Sequence, residues 1–387
     1  MEFNHTTEDS YNSTFDFITY GTHVEIYKRP DIQPRVYMVI GVYLTIAGII
    51  STVGNSVVIG VVVKNKELRK QGHNILLLNL AICDLGFTFV GYPLTASSAF
   101  AQRWLFGHLG CVIYGFCCTV LALTDINILM ALSIYRYIVI CKPHIRHILH
   151  RRTVAAAMVT SCWVYSLLWG VAALVGWNRY TNEAFGTSCS IDWTARGASD
   201  LSYTILMIFF CYISHIIVMT FCYYKIKQRS SLMLSRLRNH HKFSAEDAVL
   251  INNIRNEKRL TVMTMVMVGG FILVWSPYAW VAVWKIVVPD GVPDWLTTFP
   301  TMFAKATPML NPLIYVSTNR KFRREARGML RRWCCCFSAK VDDIVASAIR
   351  NRQASPKEKR VYFVNMTKEG IYTGKRRVSL PTIETIF

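Results

Sequence analysis

Seven apolar runs, each long enough to span a bilayer, constrain what this chain can become. Val36–Val63, Thr153–Trp177, Leu201–Tyr224 and Leu260–Trp284 carry no Asp, Glu, Lys or Arg. Asn74–Gln102 holds only Asp84, Trp104–Tyr135 only Asp125, and Trp295–Asn319 only Lys305. None shows barrel-type alternation, and a backbone in lipid must satisfy its own hydrogen bonds, so the runs read as helices. The expected fold is an all-α membrane protein: a seven-transmembrane helix bundle over residues 36–319. With 52% hydrophobic and only 17% charged residues, composition agrees.

Basic residues set the orientation. The first connection, Lys64–His73, holds Lys64, Lys66, Arg69 and Lys70 against Glu67, and the third holds Lys142, Arg146, Arg151 and Arg152. The fifth, Lys225–Arg259, carries nine basic residues against Glu246, Asp247 and Glu257. Even connections are poor in Lys and Arg, and Met1–Arg35 is acidic on balance. The expectation is an extracellular N-terminal segment over residues 1–35 and cytoplasmic odd loops and tail, in a multi-pass protein of the plasma membrane. Met1–Tyr20 lacks the apolar core of a cleavable signal peptide. The formal charge of +20 is then positive-inside bias and no sign of a nucleic-acid partner. Two glycosylation acceptors, Asn4 and Asn12, fall on the outer side, and a third sequon at Asn365 falls in the tail, where it should stay unused.

The cysteines sort by depth. Cys83, Cys117, Cys118, Cys162, Cys211 and Cys222 lie within runs as packing residues. Of the remainder, only Cys111 and Cys189 face an oxidising compartment, which predicts a disulfide pinning the loop Asn178–Asp200 over the bundle. Cys334, Cys335 and Cys336 follow the basic amphipathic stretch Lys321–Trp333. That arrangement predicts a short interfacial eighth helix over residues 320–336, lying on membrane lipid and ending in palmitoylated cysteines. Residues 337–387 are expected to be a disordered tail.

Lys305 needs an explanation of its own. A cation at mid-membrane depth costs at least ~2.5–3.5 kcal/mol. An amine held in an apolar pocket forms a Schiff base with an aldehyde; alternatively, it pairs with an acid that locks two helices. The segment by itself leaves both open.

The runs also carry markers in a fixed order: Gly54-Asn55, Asn79-Leu80-Ala81 with Asp84, Arg136-Tyr137, Trp163, Trp275-Ser276-Pro277-Tyr278 and Asn311-Pro312-Leu313-Ile314-Tyr315. In this order and spacing they resemble the rhodopsin-like class of G-protein-coupled receptors over roughly Val36–Trp333. Lys305 lies six residues before Asn311, the spacing of the retinal-binding lysine of opsins. The stretches GVYLTIAGIISTVGN, NLAICDLGFTFVGYPLT, AFGTSCSIDW and NPLIYVSTNRKFRR resemble the neuropsin and peropsin branch of non-visual opsins. RWLFGHLGCVIYG, GTSCSIDW and the Asn-His-Thr start look nearest to neuropsins.

The resemblance implies a light-sensing receptor that binds retinal (11-cis, all-trans or both) on Lys305 and activates a heterotrimeric G protein of the inhibitory class. Arrestin and a receptor kinase would act at the tail; no enzymatic activity and no metal are implied. Visual opsins place a counterion three residues after the disulfide cysteine, where this chain has Tyr114, so the resemblance shifts that role to Glu183. Trp275 and Tyr278 share a helix face and should contact the polyene. Arg136, Tyr137, Tyr223, Glu257, Asn311, Pro312 and Tyr315 match the coupling and activation positions, and Asp84, joined here by Asp125, an ion or water cavity. Tyr135 stands where relatives carry an acid beside Arg136, which predicts raised dark activity. His215 replaces a proline, which predicts a straighter fifth helix. Tyr92 replaces the neuropsin lysine linked to ultraviolet absorption, putting that absorption in doubt. Two other functions compete: a retinal photoisomerase, and a receptor for a diffusible ligand. Cys118, standing where amine receptors carry an acid, argues against the latter.

Overall fold

The runs become helices that carry large apolar side chains on their outward faces as well as in the core. In this computed structural model, which describes residues 15–20, 23–28, 32–149, 151–238, 245–288, 293–318, 322–328, 331, 361–367 and 370–376, Val39, Leu168, Leu273 and Trp280 are all at least 66% exposed. Asn55, Asp84, Thr124 and Ser133, by contrast, are buried. Large apolar side chains left exposed while polar ones are taken inside is the pattern of a protein whose solvent is lipid.

Two short strands, β1 (Phe15–Tyr20) and β2 (His23–Lys28), pair antiparallel ahead of the bundle. The first four spans are α1 (Pro34–Lys64), α2 (Gly72–Phe100), α3 (Gly107–Cys141) and α4 (Arg152–Leu174). Pro34 sits in the first turn of α1, where its missing N–H is not needed. Between α1 and α2, the Asn65 side chain accepts from the amides of Glu67 and Leu68, capping a single tight turn. Between α4 and the fifth span, β3 (Tyr180–Asn182) and β4 (Cys189–Ile191) form a hairpin.

The fifth span is not straight. It starts as α5 (Ala198–Met207), loosens into a π-helix over Ile208–Ile213 and continues as α6 (Ser214–Arg238). The expected straightening by His215 is therefore corrected. His215 is buried, with its Nε2 2.8 Å from Asn127 Oδ1 of α3 and its Nδ1 3.3 Å from Ser214 Oγ. Polar tethering accompanies here the local irregularity that a proline otherwise causes.

The sixth span lies in the long α7 (Ala245–Val287), which runs on through Pro277. Six helices among the described residues are long and apolar enough to cross a membrane. The seventh run is split into α8 (Asp294–Ala304) and α9 (Thr307–Thr318), completing a seven-helix bundle. Close approach between helices uses glycine: a Cβ on Gly54 would sit 2.7 Å from Pro312, and one on Gly170 2.5 Å from Val120.

Residues 322–328 are helical, within the expected interfacial segment. Phe322, which is buried, meets Tyr315 edge-on at 4.4 Å. Cys334, Cys335 and Cys336 lie outside the described residues, as do Asn4 and Asn12. Met1–Arg323 is one compact unit and Arg324–Phe387 a second. Within the second, β5 (Val361–Thr367) and β6 (Gly370–Arg376) pair in a tight hairpin, where disorder was expected. The strand residues Val361, Tyr362, Phe363, Val364, Ile371 and Tyr372 have the β-branched and aromatic character that favours pairing.

Candidate functional site

Lys305 sits at the break between α8 and α9, and prolines make that break. Pro308 has no N–H, so the carbonyl of Ala304 loses its helical donor; the Thr307 hydroxyl replaces it at 2.8 Å. Met309 N turns to Ala306 O, which frees the carbonyl of Lys305, and Tyr92 OH donates to it at 2.6 Å. One turn on, Pro312 frees the carbonyl of Pro308, which Asn55 Nδ2 and Ser51 Oγ take at 2.8 and 3.2 Å. Each freed carbonyl thus meets a side chain from α1, α2 or the break itself. The indole of Trp275 donates to the Thr307 hydroxyl at 2.9 Å, tying α7 to the same break.

The Lys305 side chain is 8% exposed, and its Nζ lies 3.5 Å from Glu183 Oε2 and 3.3 Å from Ser188 Oγ. Glu183 is held by the β3–β4 hairpin. Its amide donates to the carbonyl of Ser188 at 2.8 Å, Gly186 turns the chain with φ +73°, and the Ser188 hydroxyl donates to the Glu183 carboxylate. A disulfide joins Cys111 of α3 to Cys189 of β4, so the hairpin is bonded to the bundle seven residues from Asn182, the neighbour of Glu183. The expected disulfide is present.

Lys305 and Glu183 meet Tyr114, Trp275 and Tyr278 on the wall of one cavity of about 140 Å³. Phe87, Met207, Ile208 and Phe271 make the rest of the wall chiefly apolar, and Cys118 lies among them. Tyr114 hydrogen-bonds Thr95 at 2.7 Å and so turns away from an ionic role. Tyr278 accepts from Trp193 Nε1 at 2.7 Å and stands edge-on to Trp275 at 5.8 Å. A chiefly apolar chamber with one amine and one carboxylate on its wall fits an apolar aldehyde such as retinal.

The hairpin is continued by a second set of ties. Asp192 accepts from Thr194 N and Oγ1, from Ala195 N and from Arg179 Nε, all within 2.7–3.0 Å. Burial alone would raise the Asp192 carboxyl, but these donors hold it below the usual carboxylate range. Arg196 reaches from the same loop to the carbonyls of Lys285 and Ile286, at 2.5 and 3.1 Å, at the end of α7.

At the opposite end of the bundle, Arg136 Nη1 lies 2.8 Å from Glu257 Oε2, and Arg146 approaches the same carboxylate at 3.3 Å. The Arg136 guanidinium also stands 5.2 Å from the Tyr135 ring centre. Tyr223 OH accepts from Ser133 at 3.2 Å, and Tyr315 OH donates to Asn74 at 3.4 Å, so neither tyrosine touches Arg136 through these bonds. Tyr137 faces away and packs on Phe221. Midway, Asn311 Nδ2 donates to both oxygens of Asp84, and Asp125 is buried on the neighbouring helix with its Oδ1 lacking a hydrogen-bond partner among the described residues.

Sequence reasoning missed Ser188, Tyr92, Thr307, Trp193 and Arg196 as partners of the site. Ser188 and Trp193 lie within AFGTSCSIDW, but only the folded hairpin brings them to Lys305 and Tyr278.

A profile of the 7 transmembrane receptor (rhodopsin family) matches residues 54–315. The chain is 34% identical to "Rhodopsin, G0-coupled" of Mizuhopecten yessoensis, covering 78% of this chain and 74% of that protein. It is 31% identical to human "Visual pigment-like receptor peropsin", covering 76% and 84%, and 35% identical to human "Opsin-5", covering 74% and 79%. A crystal structure of squid rhodopsin superposes with a TM-score of 0.72 at 29% identity, over 83% of this chain and 92% of that one.

Proposed function

The chain belongs to the rhodopsin family of seven-transmembrane receptors, as an opsin of the peropsin- and neuropsin-like branch, and from this we propose a retinal-binding light receptor that activates a heterotrimeric G protein. One observation carries the reading. The buried amine of Lys305 lines a chiefly apolar cavity 3.5 Å from the Glu183 carboxylate. Retinal, when bound, supplies a light-driven change of shape. Glu183 offsets positive charge on the Lys305 nitrogen, Ser188 orients the carboxylate, and Tyr114, Trp275 and Tyr278 line the apolar wall.

Strain at Trp275 bends α7 at the Pro277 hinge beside it, loosening the Arg136–Glu257 pair so that Arg136 meets the G protein. Tyr223 and Tyr315 swing inward, Tyr137 borders the partner surface, and Asn311 and Pro312 relay the change past Asp84 and Asp125. The inhibitory class is our choice of partner; the G0-coupled relative supports a G protein of some kind. Arrestin and a receptor kinase would act on the tail. The reading places residues 1–35 outside the plasma membrane with glycans on Asn4 and Asn12. The bundle is residues 36–319, followed by an interfacial segment at 320–336 with acyl chains on Cys334, Cys335 and Cys336, and a cytoplasmic tail at 337–387.

The intact Arg136–Glu257 pair favours a receptor over a retinal photoisomerase, which has no use for it. Incubating the protein with 11-cis and with all-trans retinal and recording spectra tests the reading. A retinal band with light-dependent nucleotide exchange is expected; rapid release of isomerised retinal without exchange would assign the photoisomerase instead.

A further inference from the structure

Behind the first cavity lies a second chamber of about 200 Å³, bounded by the β3–β4 hairpin, the end of α7 and the first turns of α8. The two share a wall made by Glu183, Trp193, Tyr278 and Thr301, among others. Their chemistry differs. The inner cavity is chiefly apolar, whereas Asn182, Asp192, Thr194, Lys285 and Thr298 line the outer one. Thr194 is exposed, so the outer chamber reaches the surface on the hairpin side. Both of its acids are paired, Asp192 with Arg179 and Glu183 with Lys305, and Lys285 adds one cation to the wall. A chamber of this size that opens to the surface, with amide, hydroxyl and carboxylate groups on its wall to bind water, is a wet one.

The partition between the chambers is thin and specific. Trp193 Nε1 donates to Tyr278 OH at 2.7 Å, and the two rings meet edge-on at 5.6 Å. Trp193 belongs to the loop and Tyr278 to α7, so the contact closes by joining two separate elements. Glu183 faces both sides: its carboxylate holds Lys305 from within and borders the outer chamber from without.

We propose that the outer chamber is a binding site for small uncharged hydrogen-bonding solutes, water and hydroxylamine among them, with the Trp193–Tyr278 contact as the gate through which they reach the Glu183–Lys305 pair. The inference rests on the preceding functional reading only for the side of the membrane on which the chamber opens and for the value of reaching Lys305.

Thiol accessibility tests it without retinal. Thr298→Cys marks the outer chamber, and Thr301→Cys the shared wall; the otherwise unchanged chain is the blank for native thiols. Intact cells expressing each retinal-free protein are treated with uncharged methyl methanethiosulfonate. Thr298→Cys should react readily. Thr301→Cys should react slowly, and faster by roughly fivefold, the worth of one net hydrogen bond, once Trp193→Phe removes the donor. Where Trp193→Phe does not reach the surface, Tyr278→Phe removes the same bond from the other side. An unreactive Thr298→Cys, or a Thr301→Cys rate indifferent to both gate variants, overturns the proposal. Repeating the gate variants with retinal-loaded protein adds a second readout, faster dark loss of the retinal band in hydroxylamine. A chain that takes up no retinal sinks the photoreceptor reading, while the thiol rates still decide the chamber.

Discussion

The hydroxyl of Tyr92 donates a 2.6 Å hydrogen bond to the main-chain carbonyl of Lys305. A residue that departs from the neuropsin pattern thus completes the helix break that carries the amine. Tyr92→Phe leaves that carbonyl buried without a donor, at a cost of about 1–3 kcal/mol. Thermal unfolding in detergent should show a clearly lower midpoint, and an unchanged midpoint would mean that another donor substitutes.

Lys305→Ala should abolish every retinal band while surface levels stay near wild type. The side chain is buried and ion-paired, so its loss removes a charge from lipid depth as well as the reacting amine. Absorption spectra at matched expression check this; an acid-stable adduct in the variant would rule Lys305 out.

Glu183→Gln keeps the shape of the hairpin and removes the charge 3.5 Å from Lys305. A visible band in the wild type should move to the near ultraviolet at neutral pH. Ser188→Ala should act in the same direction and less, because it removes only the hydroxyl that orients the carboxylate. A Glu183→Gln spectrum identical to wild type across pH would transfer the counterion role to another acid.

Among the described residues Arg136 has one carboxylate restraint, Glu257, and an aromatic face at Tyr135. Breaking a buried ion pair costs about 3–5 kcal/mol, so Glu257→Gln should raise nucleotide exchange in the dark. Tyr135→Asp adds a second carboxylate and should lower dark exchange, by roughly 5- to 150-fold if the added coupling is of ordinary size. Equal dark rates for wild type and Tyr135→Asp would show that Glu257 suffices.

Asp192 gives a pH dependence with a defined sign. Its donors hold the folded carboxyl below the usual range, so its stabilising effect is full above the unfolded value of about 3.9 and fades as pH falls through the folded one. Asp192→Asn should therefore lower the unfolding midpoint at pH 7 and converge on wild type in strong acid. Parallel curves at both pH values would refute it.

Much of this arrangement was legible in the residues. Uncharged runs fix the spans, Lys305 announces itself by its cost in lipid, and the depth of Cys111 and Cys189 leaves them few other partners. The split of the seventh run was not anticipated, although Pro300, Pro308 and Pro312 stand in plain sight. Pro277 sits in an unbroken helix, so proline alone does not decide; the side chains waiting at the freed carbonyls do, and those at Lys305 and Pro308 come from residues more than 200 positions away. The π-helix before His215 was hidden for the same reason, since Asn127 comes from another helix. Ser188 illustrates the remaining gap: five residues from Glu183, it reaches that carboxylate only because a glycine turn folds the strand back.

The grip of Arg196 on the last carbonyls of α7 makes that helix a lever with one end fastened. From Pro277 to Glu257 the helix runs about 30 Å, at roughly 1.5 Å per residue. A swing of only about 10° at the proline would carry the far end about 5 Å, more than the reach of any ion pair. The small distortion a chromophore can impose is thereby multiplied where Arg136 is held, and hardly felt where Arg196 is tied. Freed from that tie, the same distortion would spend itself at the outer surface.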